Sequence, residues 1–336
     1  MVALVLLTAV AIGALTYRST SAVAVPAALD RVNTQARLLA AELEASVRNL
    51  RADALGIPWG TAVEGIVRAT QAGGVDAAGG MTLRRWRDGL AGRLAAELAA
   101  KPVYYQLGLI AADDGCREIV RVDRSGTGHT IRAVPDAELQ TKGDRDYVQR
   151  AMHLPAGEVD VSPVELNRER GIIEVPHVPV VTAVTPVNAP DGQLFAIVAV
   201  TADLRQPFAR IRASAHPGGA VYLVNARGDY LVHPDPAREL GFELGKPARV
   251  QDDFPGLEIG LGTAGPRIIQ DRAGASFGVA LTPLWLAGGP LVYVIESVPY
   301  AEISAAIAAV RNSTVLAALL AALGAAALAI VLARSL

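Results

Sequence analysis

Six polar or aromatic side chains in the middle of the chain lie close to apolar segments, as they would around a small-molecule pocket. They are Arg121, Asp123, Arg145, Tyr147, Glu174 and His177. A guanidinium can donate two parallel hydrogen bonds to a carboxylate, which makes Arg145 a candidate ligand contact. Tyr147 can pack against a ligand and donate one more hydrogen bond. Together these residues predict a binding site for a small polar molecule.

Structural interpretations of the same residues remain open. Arg145 could pair with a neighbouring aspartate or a strand carboxylate and only hold the turn. Arg121 and Asp123 could belong to one salt-bridge network. Glu174 and His177 flank Pro176 on a strand edge or loop, where the histidine could be a surface or structural residue.

The composition argues against several functional classes. The formal net charge is −2, so no basic surplus supports a nucleic-acid partner. Cys116 is the only cysteine, which excludes an internal disulfide and a cysteine metal cluster. The five histidines are scattered without metal-ligand spacing, so no metal or other cofactor is expected. The sequence contains no nucleophile motif or phosphate loop, and no enzymatic activity is expected.

Apolar and alternating segments predict the strands that position the candidate residues. Val103–Ala111 is apolar, and Glu118–Asp123 alternates after a turn. Arg121 and Asp123 therefore share one face of that strand, opposite two valines. Further along, a short helix and several strand-like segments lead to the apolar segment Phe195–Val200, which predicts a buried strand.

Helices are predicted ahead of the strands. Apolar residues at spacings of three and four over residues 29–54 form one stripe, which predicts a helix that begins at Pro26 and ends at Gly56. The stripe is suited to packing on its own domains and to pairing with the same helix of a second chain, so a homodimer is expected. Two further helices are predicted at Trp59–Gln71 and from an N-cap at Thr82 to Ala100.

The strand pattern recurs in the second half of the chain. After a His-Pro-Gly-Gly linker, strands at Val221–Val224 and Tyr230–His233 flank a turn. Both halves end in an apolar strand, the second at Leu291–Ile295. The sequence thus predicts an α+β fold with a weak internal duplication.

Apolar segments lie near both ends. Ser313–Ala333 is uncharged and long enough, at about 1.5 Å per residue, to cross a hydrocarbon core of about 30 Å. Val2–Thr16 is shorter: it could be a first anchor with a trimmed start, a complete short helix, or a signal peptide. An anchor is the favoured interpretation, and two anchors would leave both termini in the cytoplasm and the intervening residues outside.

Several sequence strings carry a resemblance to a known family. ELQTKGDRDYVQRA, VSPVELNRERG, EVPHVPVVTAVTPV and AIVAVTADL resemble the membrane-distal module of periplasmic double Cache sensor regions, which are tandem PAS-like units of bacterial receptors. YLVNARGDYLVHPDP and LGKPARVQDDFP resemble the membrane-proximal module. The resemblance implies ligand binding in the distal module, in a receptor of the histidine kinase, diguanylate cyclase or chemoreceptor type.

Two departures from that family bear on the ligand. Amino-acid-binding members carry an Arg-x-Trp-Tyr-like element and an aspartate in the last strand. Arg145-Asp146-Tyr147 lacks the tryptophan, and Thr201 lies where the acid is expected, with Asp203 two residues later. A carboxylate or another small anion held by Arg121 and Arg145 is therefore at least as compatible with the sequence as an α-amino acid.

The residues and the resemblance together predict an extracytoplasmic ligand-sensing region in the bacterial inner (cytoplasmic) membrane. A ligand signal would pass through the second transmembrane helix; the alternative is a protein-binding or structural spacer module without a small ligand. The expected partners are an organic acid or amino-acid-like ligand, the membrane and a second copy of the chain. The predicted segments are a transmembrane helix at 1–17, a stalk helix and helical part at 22–100, a distal Cache module at 101–212, a proximal Cache module at 213–300, and a signalling helix with a second transmembrane helix at 301–336, without the HAMP linker and output domain.

Overall fold

A computed structural model describes residues 2–113, 115–125 and 130–305, with scattered residues between 312 and 327. The described part is an α+β fold. Its helices are α1 (Val2–Gly56), α2 (Thr61–Gln71), α3 (Leu83–Ala100), α4 (Asp146–Ala151), α5 (Arg205–Ala213) and α6 (Val250–Asp253). Its strands are β1 (Tyr104–Ala111), β2 (Glu118–Ser125), β3 (Thr130–Ala133), β4 (Asp160–Val161), β5 (Glu165–Leu166), β6 (Arg168–Glu169), β7 (Ile172–Ile173), β8 (Pro179–Asn188), β9 (Leu194–Asp203), β10 (Ala220–Asn225), β11 (Tyr230–Val232), β12 (Gly265–Gln270), β13 (Ser276–Trp285) and β14 (Leu291–Pro299).

The first helix is longer than the sequence predicted. Its predicted end at Gly56 is confirmed, but its predicted start at Pro26 is wrong, because α1 begins at Val2 and continues through the proline. A proline inside a helix removes one backbone hydrogen bond without preventing helical structure on either side. The predicted apolar stripe is confirmed over most of its length, with Val32 and Ala54 among its buried residues.

Of the two predicted membrane segments, only the first lies mainly within the described residues. Val2–Thr16 forms the first part of α1, whereas most of Ser313–Ala333 lies outside the described residues. Within the part of the chain that the structure describes, no helix combines the length and hydropathy needed to cross a membrane.

Helices α2 and α3 confirm the prediction and pack closely together. The Oγ1 atom of Thr82 accepts a hydrogen bond from the backbone N–H of Arg85 at 3.4 Å, as expected for an N-cap. A Cβ atom at Gly65 would lie only 2.3 Å from the ring of Trp86. Glycine therefore permits the indole to lie against the backbone of α2.

The first sheet has the strand order β3-β2-β1-β9-β8-β4, and β5 pairs with β8 beside β4. All of its pairings are antiparallel. One face packs against α1 and α3 through residues such as Leu107 and Val200. We call the opposite face the outer face; it carries Ile110, Val184 and Ile197 and packs against α4.

The second sheet has the order β11-β10-β14-β13-β12. In the first sheet β1 pairs with β2 and with the last strand, β9, which also pairs with β8. In the second sheet β10 likewise pairs with β11 and with the last strand, β14, which also pairs with β13. Val292 and Val294 of the last strand join the same core as the stripe of α1. A single long helix therefore packs on both sheets.

Candidate functional site

A row of polar residues crosses the outer face of the first sheet. Asp123 on β2 lies opposite Gln106 on β1, which lies opposite Thr201 on β9 and then Thr182 on β8. Residues directly opposite one another in antiparallel strands point to the same face, so their side chains are neighbours. The Oγ1 atoms of the two threonines are 3.0 Å apart. Thr201, which replaces the expected acid, thus forms a buried hydrogen bond at this face.

Arg121 lies beside this row and is enclosed by carboxylates. Its guanidinium is 3.4 Å from Glu118, 3.2 Å from Asp123 and 3.2 Å from Glu169. The arginine is only 5% exposed, and its Nε atom has no hydrogen-bond partner in the described part of the chain. Arg121 and Asp123 therefore belong to one salt-bridge network, as the structural interpretation proposed. The buried Nε–H group of Arg121 remains available as a hydrogen-bond donor.

Lys142 extends the cluster towards the surface. Its Nζ atom lies 3.8 Å from Glu118 and donates a hydrogen bond to Gln140 at 3.1 Å. Burial lowers the pKa of Lys142, although Glu118 acts in the opposite direction. The lysine is therefore a partly desolvated cation close to Arg121.

The strands β6 and β7 form a small hairpin over the outer face. Its two turn residues, Arg170 and Gly171, have φ values of 53° and 77°, which is the signature of a two-residue type I′ turn. The carboxylate of Glu169 accepts hydrogen bonds from the side-chain amides of Gln106 at 2.6 Å and Gln140 at 2.5 Å. Glu169 is thus one attachment of the hairpin to the sheet, alongside Ile173, which packs against the main core.

The electrostatics of Glu169 follow from this position. Burial acts to raise the pKa of Glu169, but Arg121, followed by Lys142 and the two amide donors, outweighs it and lowers the pKa. The carboxylate is therefore held in its charged form inside a cationic pocket.

A cleft of about 790 Å³ opens beside the hairpin. One wall is the segment from Ala137 to Arg145, and the other includes Arg168, Arg170 and Gly171 of the hairpin. Its basic residues outnumber its acidic ones by five to two. The basic residues are Arg117, Lys142, Arg145, Arg168 and Arg170, and the acidic residues are Glu138 and Asp144.

Arg145 and Tyr147 lie at the start of α4. Arg145 lines the cleft and forms an ion pair with Glu165 at 2.6 Å. The Tyr147 ring lies near the guanidinium, with its centroid 5.6 Å from Cζ, a favourable distance for a cation–π contact. Burial raises the pKa of Glu165, and Arg145 opposes that shift. Arg145 is thus at the cleft but has an internal carboxylate partner.

Glu174 and His177 lie beyond the hairpin. Glu174 accepts hydrogen bonds from the hydroxyl of Tyr105 at 2.7 Å and from the amide of Asn167 at 2.8 Å. His177 is exposed, and its Nδ1 atom lies 3.0 Å from the carbonyl oxygen of Glu174. The structure therefore places Glu174 next to the hairpin and His177 outside the cleft, and a ligand role for either residue stays a prediction.

The sequence reasoning missed the residues that connect the candidates. Gln106, Gln140 and Glu169 come from three separate segments, and no local spacing relates them. Lys142 offered one signal, because it is one of only three lysines in the chain. Within the described residues, no group of three or more His, Cys, Asp or Glu side chains could hold a metal ion.

Comparison with known proteins gives the family context. Residues 98–255 match the model of the family described as bacterial histidine kinase, sensor domain. This range begins in α3 and ends shortly after α6, so it includes the outer face, the hairpin and the cleft. No curated protein matches the chain at a significant level.

Solved structures share the fold at low sequence identity. One is a domain of a protein assigned to the sensory box/GGDEF family of Vibrio parahaemolyticus: it is 14% identical with a TM-score of 0.66, and the match covers 84% of this chain and 99% of that one. The periplasmic sensory domain of the Campylobacter jejuni chemoreceptor Tlp1 is 12% identical, with a TM-score of 0.62 and coverages of 83% and 98%.

A third similar structure contains a ligand. The ligand-binding domain of the Pseudomonas aeruginosa PAO1 amino acid chemoreceptor PctC, in complex with GABA, is 17% identical with a TM-score of 0.53. The match covers 81% of this chain and 99% of that one. Residues 98–255 are therefore similar to the sensor domains of bacterial histidine kinases, and the chain shares its fold with bacterial sensory domains.

Proposed function

We propose that this chain is the extracytoplasmic sensing region of a bacterial membrane receptor and that it binds a small anionic metabolite. The observation that carries the proposal is the 790 Å³ cleft with five basic and two acidic side chains in its walls. Such an excess of positive charge attracts anions and disfavours cations. The cleft also lies within the sensor-domain match.

The architecture proposed for the receptor is a tandem of PAS-like Cache modules, at 101–212 and 213–300. Its support is the shared strand order of the two sheets. The same proposal includes membrane anchors within 1–17 and 301–336 and a homodimer built on α1. It also includes the absence of enzymatic activity in this region. Similar structures include chemoreceptor domains in complex with GABA, L-serine and L-Arg, which supports a small ligand without identifying it.

The proposed contacts are Arg145, which lines the cleft, Tyr147, whose ring lies near that guanidinium, and Arg121 and Asp123 in the buried cluster. Arg145 is one of the cations that line the cleft, and Lys142 lies between the cleft and the buried cluster. Glu174 and His177 would act at the far side of the hairpin.

Binding to the full chain in detergent tests this proposal. Isothermal titration with acetate, succinate, L-glutamate and GABA should detect binding of at least one carboxylate. Replacing both Arg145 and Tyr147 by alanine should weaken that binding at least tenfold, because a charge-assisted hydrogen bond contributes about 1.5–3 kcal/mol. Arg150→Ala is the matched control, since Arg150 lies on the same helix but pairs with Asp160 outside the cleft.

A protein-binding or spacer module is the second candidate, and one observation favours it. Arg145 and Arg121 both have internal carboxylate partners, so neither needs a ligand to be neutralised. Absence of binding by all four carboxylates, in a folded protein, would favour this candidate over the sensor of small anions.

A further inference from the structure

The contacts of Glu169 indicate which ligand chemistry would suit the buried cluster. Its carboxylate is held by the amides of Gln106 and Gln140 and by the guanidinium of Arg121. These groups come from β1, β2 and the cleft wall, whereas Glu169 comes from a short hairpin above them. The pocket is thus built by the sheet and occupied by a side chain from a separate element.

We propose that Gln106, Arg121 and Gln140 form a carboxylate receptor, that Glu169 occupies it in the ligand-free protein, and that a ligand carboxylate binds by taking the place of Glu169. This inference rests on the proposed function and specifies its ligand class and its binding step. The hairpin Arg168–Ile173 would leave the outer face as the exchange occurs.

Charge balance selects a carboxylate. The guanidinium of Arg121 contacts the carboxylates of Glu118, Asp123 and Glu169. Exchange of one carboxylate for another preserves this balance. A neutral ligand would remove one of the three carboxylates around the buried guanidinium of Arg121 and put no negative charge in its place, which is unfavourable.

The geometry also provides what the ligand needs to compete. An intramolecular carboxylate has a high effective concentration, so a free one must gain additional contacts. The Nε–H group of the nearly buried Arg121 has no partner among the described residues and could supply one hydrogen bond. Basic side chains in the cleft, such as Arg117, could hold the remainder of the ligand.

The hairpin is suited to leaving the sheet. It has two residues in each strand, and the carboxylate that attaches it to the receptor is 31% exposed. The backbone N–H of Arg170 donates to the side-chain oxygen of Gln140 at 2.9 Å. Because Gln140 lines the cleft, Glu169 lies at the boundary between the open cleft and buried Arg121.

Titration of Glu169→Gln with GABA, succinate and acetate tests the exchange. The amide keeps the size of the side chain but removes the competing charge. Carboxylates should bind the variant about tenfold more tightly than the wild type, the lower end of the range for a charge-assisted contact. Glu258→Gln, at an exposed position in the second half of the chain, is the matched control for loss of one negative charge and should leave the affinity unchanged.

Two further probes test the ligand class. One probe is 4-aminobutanol, which is GABA with its carboxylate replaced by an alcohol, and the other is inorganic phosphate. Neither should bind Glu169→Gln more tightly than it binds the wild type. Carboxylate binding should also speed amide hydrogen exchange across residues 168–173 in the wild type.

The possible failures are distinguishable. Equal carboxylate affinity in wild type and Glu169→Gln would overturn the exchange and leave the sensor function intact. A tenfold gain for phosphate would overturn the carboxylate class. Absence of binding by every probe to both proteins would refute the proposed function and the exchange together.

Discussion

Replacement of Arg121 by methionine should destabilise the protein strongly at neutral pH. The substitution keeps much of the side-chain volume but removes a positive charge that lies 3.2–3.4 Å from three carboxylates. Two of these acids, Glu118 and Asp123, are almost completely buried. Breaking a buried ion pair on one side costs about 3–5 kcal/mol. Because Glu169 is partly exposed, we expect the lower end, about 3 kcal/mol.

The deficit should shrink as the pH falls. In the wild type the pKa of Glu169 is lowered, so its stabilising contribution is present above its ordinary pKa of 4.5 and is lost as the pH falls through the lowered value. Without Arg121, burial would raise that pKa instead. The folded variant would then bind a proton more readily than the unfolded chain, and its stability would increase as the pH falls towards 4.5.

Urea denaturation followed by circular dichroism at pH 7.5 and pH 4.5 measures both effects. Arg48→Met is the matched control, because Arg48 pairs with Glu44 on the exposed side of α1 and such a pair contributes about 0.3–0.5 kcal/mol. The double variant Arg121→Met, Glu118→Gln removes one of the buried negative charges that lose Arg121 and should recover about 1 kcal/mol or more. If Arg121→Met were as stable as the Arg48→Met control at pH 7.5, the buried-network reasoning would be wrong.

Two other substitutions test the packing and the second sheet. Gly65→Ala should cost about 1–3 kcal/mol, because its Cβ would lie 2.3 Å from the Trp86 ring; a thermal melt unchanged from wild type would contradict the close helix packing. Asp229→Asn should cost about 1–2 kcal/mol at pH 7, because the nearly buried carboxylate accepts hydrogen bonds from Asn225 and Arg249 at 3.0 and 2.9 Å. Burial acts to raise the pKa of Asp229, but these donors lower it, so the stabilisation is present above its ordinary value of 3.8 and is lost as the pH falls through the lowered value. Urea denaturation should show that the stability difference between Asp229→Asn and the wild type is smaller at pH 3 than at pH 7. A stability difference independent of pH would refute the stabilising role of the charged carboxylate.

The sequence predicted the elements well where local periodicity determines them. The stripe of α1, the N-cap of α3 at Thr82 and the strand predicted at Phe195–Val200, which extends from Leu194 to Asp203, follow from residues close together in the chain. The start of α1 could not be predicted in the same way. Pro26 is compatible with a first turn and with an internal position, and local preference does not distinguish the two.

The candidate site was predictable only in part, because some of its contacts depend on the register in which strands pair. Arg121 and Asp123 are two residues apart on one strand, so alternation alone placed them on a common face. Glu169 reaches Arg121 from 48 residues further along the chain, and Gln106 lies opposite Asp123 through the pairing of β1 with β2. Such contacts depend on which strands pair and in which register, and neither property is encoded in the spacing of the residues concerned.

The hairpin that carries Glu169 also connects the two sheets, and this gives ligand exchange a physical route to the second one. Arg168 directly precedes Glu169 and forms an ion pair at 2.8 Å with Glu243 in the short 3-10 helix Gly241–Leu244, which follows β11. Neighbouring residues on a strand point in opposite directions, so one hairpin holds Arg121 of the first sheet and Glu243 of the second unit at once. A ligand shifts such an equilibrium only by binding one arrangement more tightly than the other. In the proposed exchange that difference arises at Arg121, because the ligand carboxylate takes the place of Glu169 on its guanidinium. Release of Glu169 would then loosen the hairpin that holds Arg168 against Glu243.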